Sequence, residues 1–284
     1  MAEEPVEIQD LNGVGPVTAN KLREAGYDSI SSLAIAPIRE IVEKAGLENS
    51  VALKISRAAR ETIQTEFVGE FGAGKSQISM KLSVMTQLPV KDGGLEGKVL
   101  FIDTEGTFSP QRVYQMAQAM QQDPEKILDG IIYSRVYNSD HQILTVDHAF
   151  KICQEENIKL LVVDSILSHF RGEYIGRESL SERQQRLNSH LHKLLRIAQA
   201  LNLAVIITNQ VQANPQAFFG DPTRPAGGNI LAHASTHRIM LKKASQGLRV
   251  AKVIDSPYLP ESEAYFQITE KGVEDAAPKN RRDD

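Results

Sequence analysis

Residues 69–76 read Gly69-Glu70-Phe71-Gly72-Ala73-Gly74-Lys75-Ser76, and this octet decides the architecture. It fits GxxxxGK[ST], the pattern of a phosphate-cradling loop. Glycines let the backbone curl so that successive N–H groups point at phosphate oxygens. Lys75 can reach β- and γ-phosphates, and the Ser76 hydroxyl can ligate Mg²⁺. The following helix, opening at Gln77, offers its positive N-terminus to the same phosphates. With glycine at about 7% of residues, four fixed positions match by accident in only about one chain in a hundred. The context strengthens the match: an apolar strand pattern, Thr65–Val68, precedes the octet and a helical pattern, Gln77–Met85, follows it.

The same alternation continues outward. Short β-branched runs lie at residues 98–103 (KVLFID), 131–136 (IIYSRV), 159–164 (KLLVVD) and 203–208 (LAVIIT), with amphipathic helices between them. Val113, Met116, Ala117 and Met120 line one face of one helix, and Leu187, Leu191, Leu194, Leu195 and Ala198 line a face of another. Strand–helix alternation implies an α/β fold with a mostly parallel sheet flanked by helices. After residue 236 the pattern is strand only (THRIML, RVAKVI, AYFQI), which reads as antiparallel strands added to the sheet. Residues 10–63 differ. Short helical segments bounded by Gly and Pro, with Ala52, Ile55 and Ala59 at helical spacing, imply a small all-α N-terminal domain. The expected division is therefore 1–63 helical, 64–275 nucleotide-binding core and 276–284 disordered tail.

Bulk properties exclude other classes. No apolar run approaches the ~20 residues of a membrane span. The acidic opening MAEEPVEIQD is unlike a secretory leader, so the reading is a cytoplasmic protein. The single cysteine, Cys153, excludes an intrachain disulfide and reads as core. A net charge of −4 argues against a surface that coats nucleic acid throughout, though not against a local site. The seven histidines form no ligand cluster, so no metal besides Mg²⁺ is expected.

Further residues fit phosphate chemistry. Asp164 closes a hydrophobic strand, which can place a carboxylate beside Ser76 and its Mg²⁺. The alternative is an ordinary strand with a capping Asp. Asp103 and Glu105 in FIDTEG are read as sharing one strand face, with Glu105 nearer the strand end and able to orient a water for γ-phosphate hydrolysis. A helix-capping acid is the alternative there. Gln210, after LAVIIT, can sense a γ-phosphate through its neutral amide.

Taken together, GEFGAGKSQ, FIDTEGTF, LLVVDS, RGEYIGRESLSERQQRL, ITNQV, GGNILAHAS and DSPYLPESEA resemble the RecA-like recombinases, and specifically archaeal RadA and its eukaryotic relatives. The resemblance covers about residues 65–275, and residues 10–63 resemble the family's helix-hairpin-helix domain. It implies an ATP- and Mg²⁺-dependent DNA-stimulated ATPase that polymerises on single-stranded DNA, pairs it with homologous duplex and exchanges strands. Carried onto these residues, Lys75 and Ser76 hold phosphate and metal, Asp164 supports the metal and Glu105 orients water. Arg112 stacks on adenine, and Gln210 and His233 read the γ-phosphate. Asp255 to Pro260 form the cap that a neighbouring subunit lays over the nucleotide, with Asp255 near a monovalent cation such as K⁺. Ser109 stands where FRPER-like versions carry a basic residue, and Ser76 keeps the hydroxyl supplied elsewhere by Thr.

Two loops are DNA candidates. Residues 171–186 carry Arg171, Tyr174, Arg177, Arg183 and Arg186; by composition alone, with three glutamates interspersed, this is a solvated face. Residues 211–229 carry Phe218, Phe219 and Arg224 before Gly227-Gly228; the aromatics can stack between bases or pack into a neighbour. In the helical domain, Gly13 and Gly15 can present N–H groups to a duplex phosphate or form only an interhelical turn.

The resemblance also implies a linker of a few dozen residues between the helical domain and the phosphate-loop strand. It carries an FxxA-like oligomerisation motif and a segment like LDxLLGGGIE. Neither occurs between Ile63 and Thr65. Omitted residues, a deletion and a divergent sequence are the three origins compatible with that junction. Filaments and recombination mediators are the partners implied where the linker is present; a contiguous chain is expected to fail to assemble through the phenylalanine anchor. An ATP-binding accessory protein that binds partners without strand exchange is the alternative function. A helicase motor lacks an added translocation domain.

Overall fold

The computed structural model describes residues 8–276 apart from 12, 29, 62–63, 177, 214–222 and 258. Four helices come first: α1 (Pro16–Glu24), α2 (Ile30–Ile35), α3 (Ile38–Ala45) and α4 (Asn49–Glu61). They close over one apolar cluster that includes Leu11, Leu22, Leu33, Ile41 and Ile55. Proline at the first position of α1 costs no helical hydrogen bond, and Gly46 ends α3 in the left-handed conformation.

The remainder alternates strands and helices: β1 (Gln64–Gly69), α5 (Lys75–Thr86), β2 (Lys98–Asp103), α6 (Pro110–Ala119), α7 (Pro124–Asp129), β3 (Ile131–Arg135), α8 (Ser139–Glu155), β4 (Ile158–Asp164), α9 (Ser168–Glu173), α10 (Leu180–Leu201) and β5 (Ala204–Asn209). A short hairpin, β6 (Val211–Ala213) and β7 (Thr223–Pro225), and helix α11 (Gly228–Ala234) lead to β8 (His237–Lys243), β9 (Leu248–Asp255), β10 (Glu263–Thr269) and β11 (Gly272–Asp275). Nine strands form one sheet in the order β11-β10-β9-β8-β1-β5-β4-β2-β3.

Strand alternation builds the two layers. Leu161 and Val163 of β4, with Val205 and Ile207 of β5, face the cluster that holds Leu191 and Leu194 of α10. Their neighbours Leu160, Val162 and Ile206 face the opposite cluster with Met80 of α5 and Met116 of α6. Period-two burial on both faces is what a helix-covered parallel sheet requires.

Two sequence expectations need correction. β8 is not antiparallel: it pairs β1 in parallel, and only β9, β10 and β11 run antiparallel to their neighbours. The reason is α11, a one-helix crossover that begins at the end of the stretch read as loop and was not anticipated, because a crossover returns the next strand in the same direction. Second, Asp103 and Glu105 do not share a strand face, because β2 ends at Asp103 and the chain bends there. β1 is paired on both sides, by β5 and β8, and the edges are β3 and β11. Residues 62–63 of the junction lie outside the described residues.

Candidate nucleotide site

The phosphate loop leaves β1 in the middle of the sheet and enters α5. Gly69 is there because a Cβ would stand 2.5 Å from the Leu241 carbonyl oxygen of β8. Gly72 and Gly74 have positive φ (76° and 110°), which only glycine adopts without strain. Ala73 is buried, whereas Glu70 is exposed and Phe71 is 89% exposed. Lys75 folds back so that its ammonium donates to the Gly69 and Glu70 carbonyls at 2.8 and 3.0 Å. Burial lowers its pKa, opposed by the charges of Asp164, Glu105 and Glu70, and Lys243 pushes the same way as burial.

The opposite wall comes from the ends of β2, β4 and β5. Asp103 is fully buried and organises the turn after β2. Its carboxylate accepts the N–H groups of Glu105 (3.0 Å), Gly106 (2.7 Å), Thr107 (3.3 Å) and Phe108 (3.1 Å). That turn presents Glu105 and Thr107. Glu105 Oε1 accepts from Ser165 Oγ at 2.7 Å and from Gln210 Nε2 at 3.1 Å. Among the described residues its other oxygen has no hydrogen-bond partner. Asp164 accepts from Thr208 Oγ1 and, at 3.2 Å, from Thr107 Oγ1, whose oxygen lies 3.3 Å from Ser76 Oγ. Burial pushes the Asp164 carboxyl up, against the hydroxyl donors Ser76, Thr208 and Thr107.

These walls enclose a cavity of about 330 Å³ that Lys75, Ser76, Gln77, Glu105, Asp164, Gln210, Arg249 and Ile268 all help to line. The donor set fits a magnesium–triphosphate. A Cβ at Gly72 or Gly74 would fill the cradle, the Lys75 ammonium hydrogen-bonds, among the described residues, only to loop carbonyls, and a hydroxyl and a buried carboxylate stand together at its helix start. Arg112 donates to Gln77 Oε1 at 2.7 Å and to the carbonyls of Thr269 and, at 2.8 Å, Glu270. Its guanidinium is thus fixed beside the β10–β11 turn. Ser109 caps α6, accepting the Arg112 N–H at 3.2 Å.

Of the other expected residues, only the described ones can be set against this cavity. Asp255 and Pro260 are exposed at and beyond the end of β9 and do not line it. The side chain of His233, on α11, is outside the described residues, as are Arg177, Phe218 and Phe219. Arg171 is exposed on α9, and Arg183 is half-buried. Tyr174 is tied down: it stacks on Phe170 (6.4 Å), and its hydroxyl accepts from Arg186, which also lies over its ring and pairs with Asp140. Arg224 is exposed on β7. At Gly227 (φ 91°) a Cβ would meet Leu231 at 2.3 Å, so glycine permits the entry into α11; Gly228 follows with φ 66°. Gly13 and Gly15 are exposed before α1, where Gly15 is the N-cap without a side-chain cap.

Sequence reasoning missed Thr107, Thr208, Ser165 and Arg249. Hydroxyls carry no pattern by themselves; only the turn set by Asp103 and the parallel register of β4 with β5 bring them to the site.

A parallel sheet whose central strand runs into such a loop, with a carboxylate and an amide at neighbouring strand ends, defines a RecA-like P-loop ATPase. The sequence model of the Rad51 family matches residues 54–276, and the chain belongs to that family. A second model, of SAM-like helix-hairpin-helix tandems, matches residues 6–61. Membership implies a DNA-dependent ATPase that uses ATP and Mg²⁺, binds DNA and acts in recombination. Among the described residues, no helix is long and apolar enough to cross a membrane.

Proposed function

We propose that this protein is an ATP-driven strand-exchange recombinase of the RadA type, binding single-stranded DNA and pairing it with homologous duplex. The observation that carries this reading is Glu105, which lines the Lys75 cavity and is held by Gln210 and Ser165 through one carboxylate oxygen. Lys75 exchanges its two loop carbonyls for phosphate oxygens. Ser76 and Asp164 would hold Mg²⁺, which supplies charge neutralisation at the phosphates. Glu105 orients a water in line with the γ-phosphorus. The water oxygen bonds to phosphorus, the bond to the bridging oxygen breaks, and the water proton passes to Glu105. Loss of the γ-phosphate changes what Gln210 touches. Gln210 opens the segment that carries Phe218, Phe219 and Arg224, so hydrolysis is coupled to DNA grip.

DNA contact is assigned to Arg171, Arg177, Arg183, Arg224 and the glycines 227 and 228, with the backbone at Gly13 and Gly15 touching duplex phosphates. A neighbouring subunit's Asp255–Pro260 segment closes the nucleotide site, with K⁺ beside Asp255, and Arg112 and His233 complete it. A cytoplasmic location and contact with recombination mediators belong to the same reading. The junction between Ile63 and Thr65 favours a second reading, an ATP-binding accessory protein without strand exchange, because it lacks the expected linker.

ATP turnover with and without single-stranded DNA separates the two. Stimulation by DNA, with a loss of about 10³-fold in kcat for Glu105→Gln and retained ATP binding, is the expected result. Turnover indifferent to DNA and to Glu105 would overturn the recombinase reading.

A further inference from the structure

The Lys75 cavity has a cationic wall that no phosphate-loop pattern contains. Lys243 and Arg249 are directly paired residues on β8 and β9, so their side chains leave the same face of the sheet. That face meets the loop. The Lys243 Nζ stands 3.2 Å from where a Gly72 Cβ would be, and Arg249 Cδ stands 3.4 Å from the corresponding point at Gly74. Arg249 lines the cavity; its Nε donates to the Gly72 carbonyl at 3.4 Å and its Nη1 to Gly247 at 3.1 Å. Among the described residues neither cation makes an ion pair. Like charges facing each other across an antiparallel pair are unfavourable, and here they stand beside a third cation, Lys75. An anion between them and the loop resolves that repulsion.

We infer that Arg249, supported by Lys243, is a phosphate-binding residue contributed by the strand hairpin that follows α11. The contact is to the phosphates common to ADP and ATP. Arg249 touches the loop at Gly72 and Gly74, whereas the γ-phosphate end is assigned to Glu105 and Gln210, which bond each other. The planar guanidinium can hold two phosphate oxygens at once, and Lys243 adds a point charge. This wall belongs to the same chain as the loop, so it acts without a neighbouring subunit. The inference rests on the nucleotide reading of the cavity and deepens it.

The test is calorimetric titration of Mg-ADP and Mg-ATP into the full chain and its Arg249→Gln, Arg249→Lys and Lys243→Ala variants, at two salt concentrations. Arg249→Gln keeps a donor for the Gly72 carbonyl but removes the charge. It is expected to weaken ADP and ATP alike by about tenfold and to flatten the salt dependence. Arg249→Lys recovers part of the loss, and Lys243→Ala weakens both nucleotides a few-fold. Lys243 is exposed, so that variant keeps the test decisive should Arg249→Gln fold poorly. An Arg249→Gln protein that is folded and binds both nucleotides within twofold of the parent overturns the inference, as does a loss confined to ATP. A parent that binds neither nucleotide overturns the functional reading itself, which is a separate failure.

Discussion

Among the carboxylates buried in this sheet, Glu66 and Asp164 have contrasting surroundings. Glu66, in the middle of β1, is fully buried and fully answered: Arg238 Nε and Asn209 Nδ2 each donate to it at 2.7 Å. Asp164, at the end of β4, is almost as buried but, among the described residues, its carboxylate accepts only from hydroxyls. Burial raises both carboxyls, yet at Glu66 the Arg238 charge is the leading force in the other direction, whereas at Asp164 hydroxyl donors oppose it and, among the described residues, no cation stands within ion-pair distance. A buried carboxylate with its own arginine is an element of architecture. One that faces a cavity with hydroxyls alone is waiting for a cation from solution. That distinction separates the part of the sheet that holds the fold from the part that does chemistry.

The largest effect that could break the comparison is at Glu66. Glu66→Ala leaves Arg238 buried without its partner and is expected to cost about 3–5 kcal/mol in denaturant unfolding. The double change Glu66→Leu with Arg238→Met is expected to cost clearly less than the single one. Equal losses would show that the pair is not what holds this region.

At Asp164 the sign reverses. Because its folded pKa is raised, its contribution to stability is present below the unfolded value of about 4 and is lost as pH rises through the folded value. Without Mg²⁺, stability should therefore decline from about pH 4 upward. Asp164→Asn should flatten that decline and leave the metal-free protein no less stable at pH 7. The same variant should lose about 10- to 100-fold in Mg²⁺ affinity when the metal is titrated in the presence of ADP. A metal-free Asp164→Asn protein that melts well below the parent would place Asp164 with Glu66.

The smallest effect marks the baseline. Lys98 and Glu156 pair at 2.6 Å with both side chains near half exposed. Lys98→Met should change unfolding free energy by no more than about 1 kcal/mol. A larger change would mean that surface pairs compete with the buried ones.

The legible part of this molecule was the part with a period or a spacing. The octet at 69–76 announced the loop, and β-branched runs with amphipathic helices between them announced the parallel sheet. The direction of β8 was hidden, because α11 is seven residues long and sits in a segment dense with Gly and Pro. Glu105 was legible as an acid, but its position was not. Asp103 ends the strand by gathering four backbone N–H groups, and that is a property of a turn rather than of a pattern. Glu66 shows the opposite case. Nothing in the run TEFVG marks it as buried, and only its partners on β5 and β8, distant in sequence, explain its burial. Arg249 was missed for the same reason, since nothing in LRVAKV says that the strand lies against Gly72 and Gly74.

The central claim is that Lys75 and the curled amides around it grip a triphosphate. It is tested most directly by titrating Mg-ATP into the intact chain and its Lys75→Ala variant in a calorimeter. Saturable binding by the parent, weakened about 10- to 100-fold in the variant, is the expected result. Identical isotherms, or no heat from either protein, would contradict it.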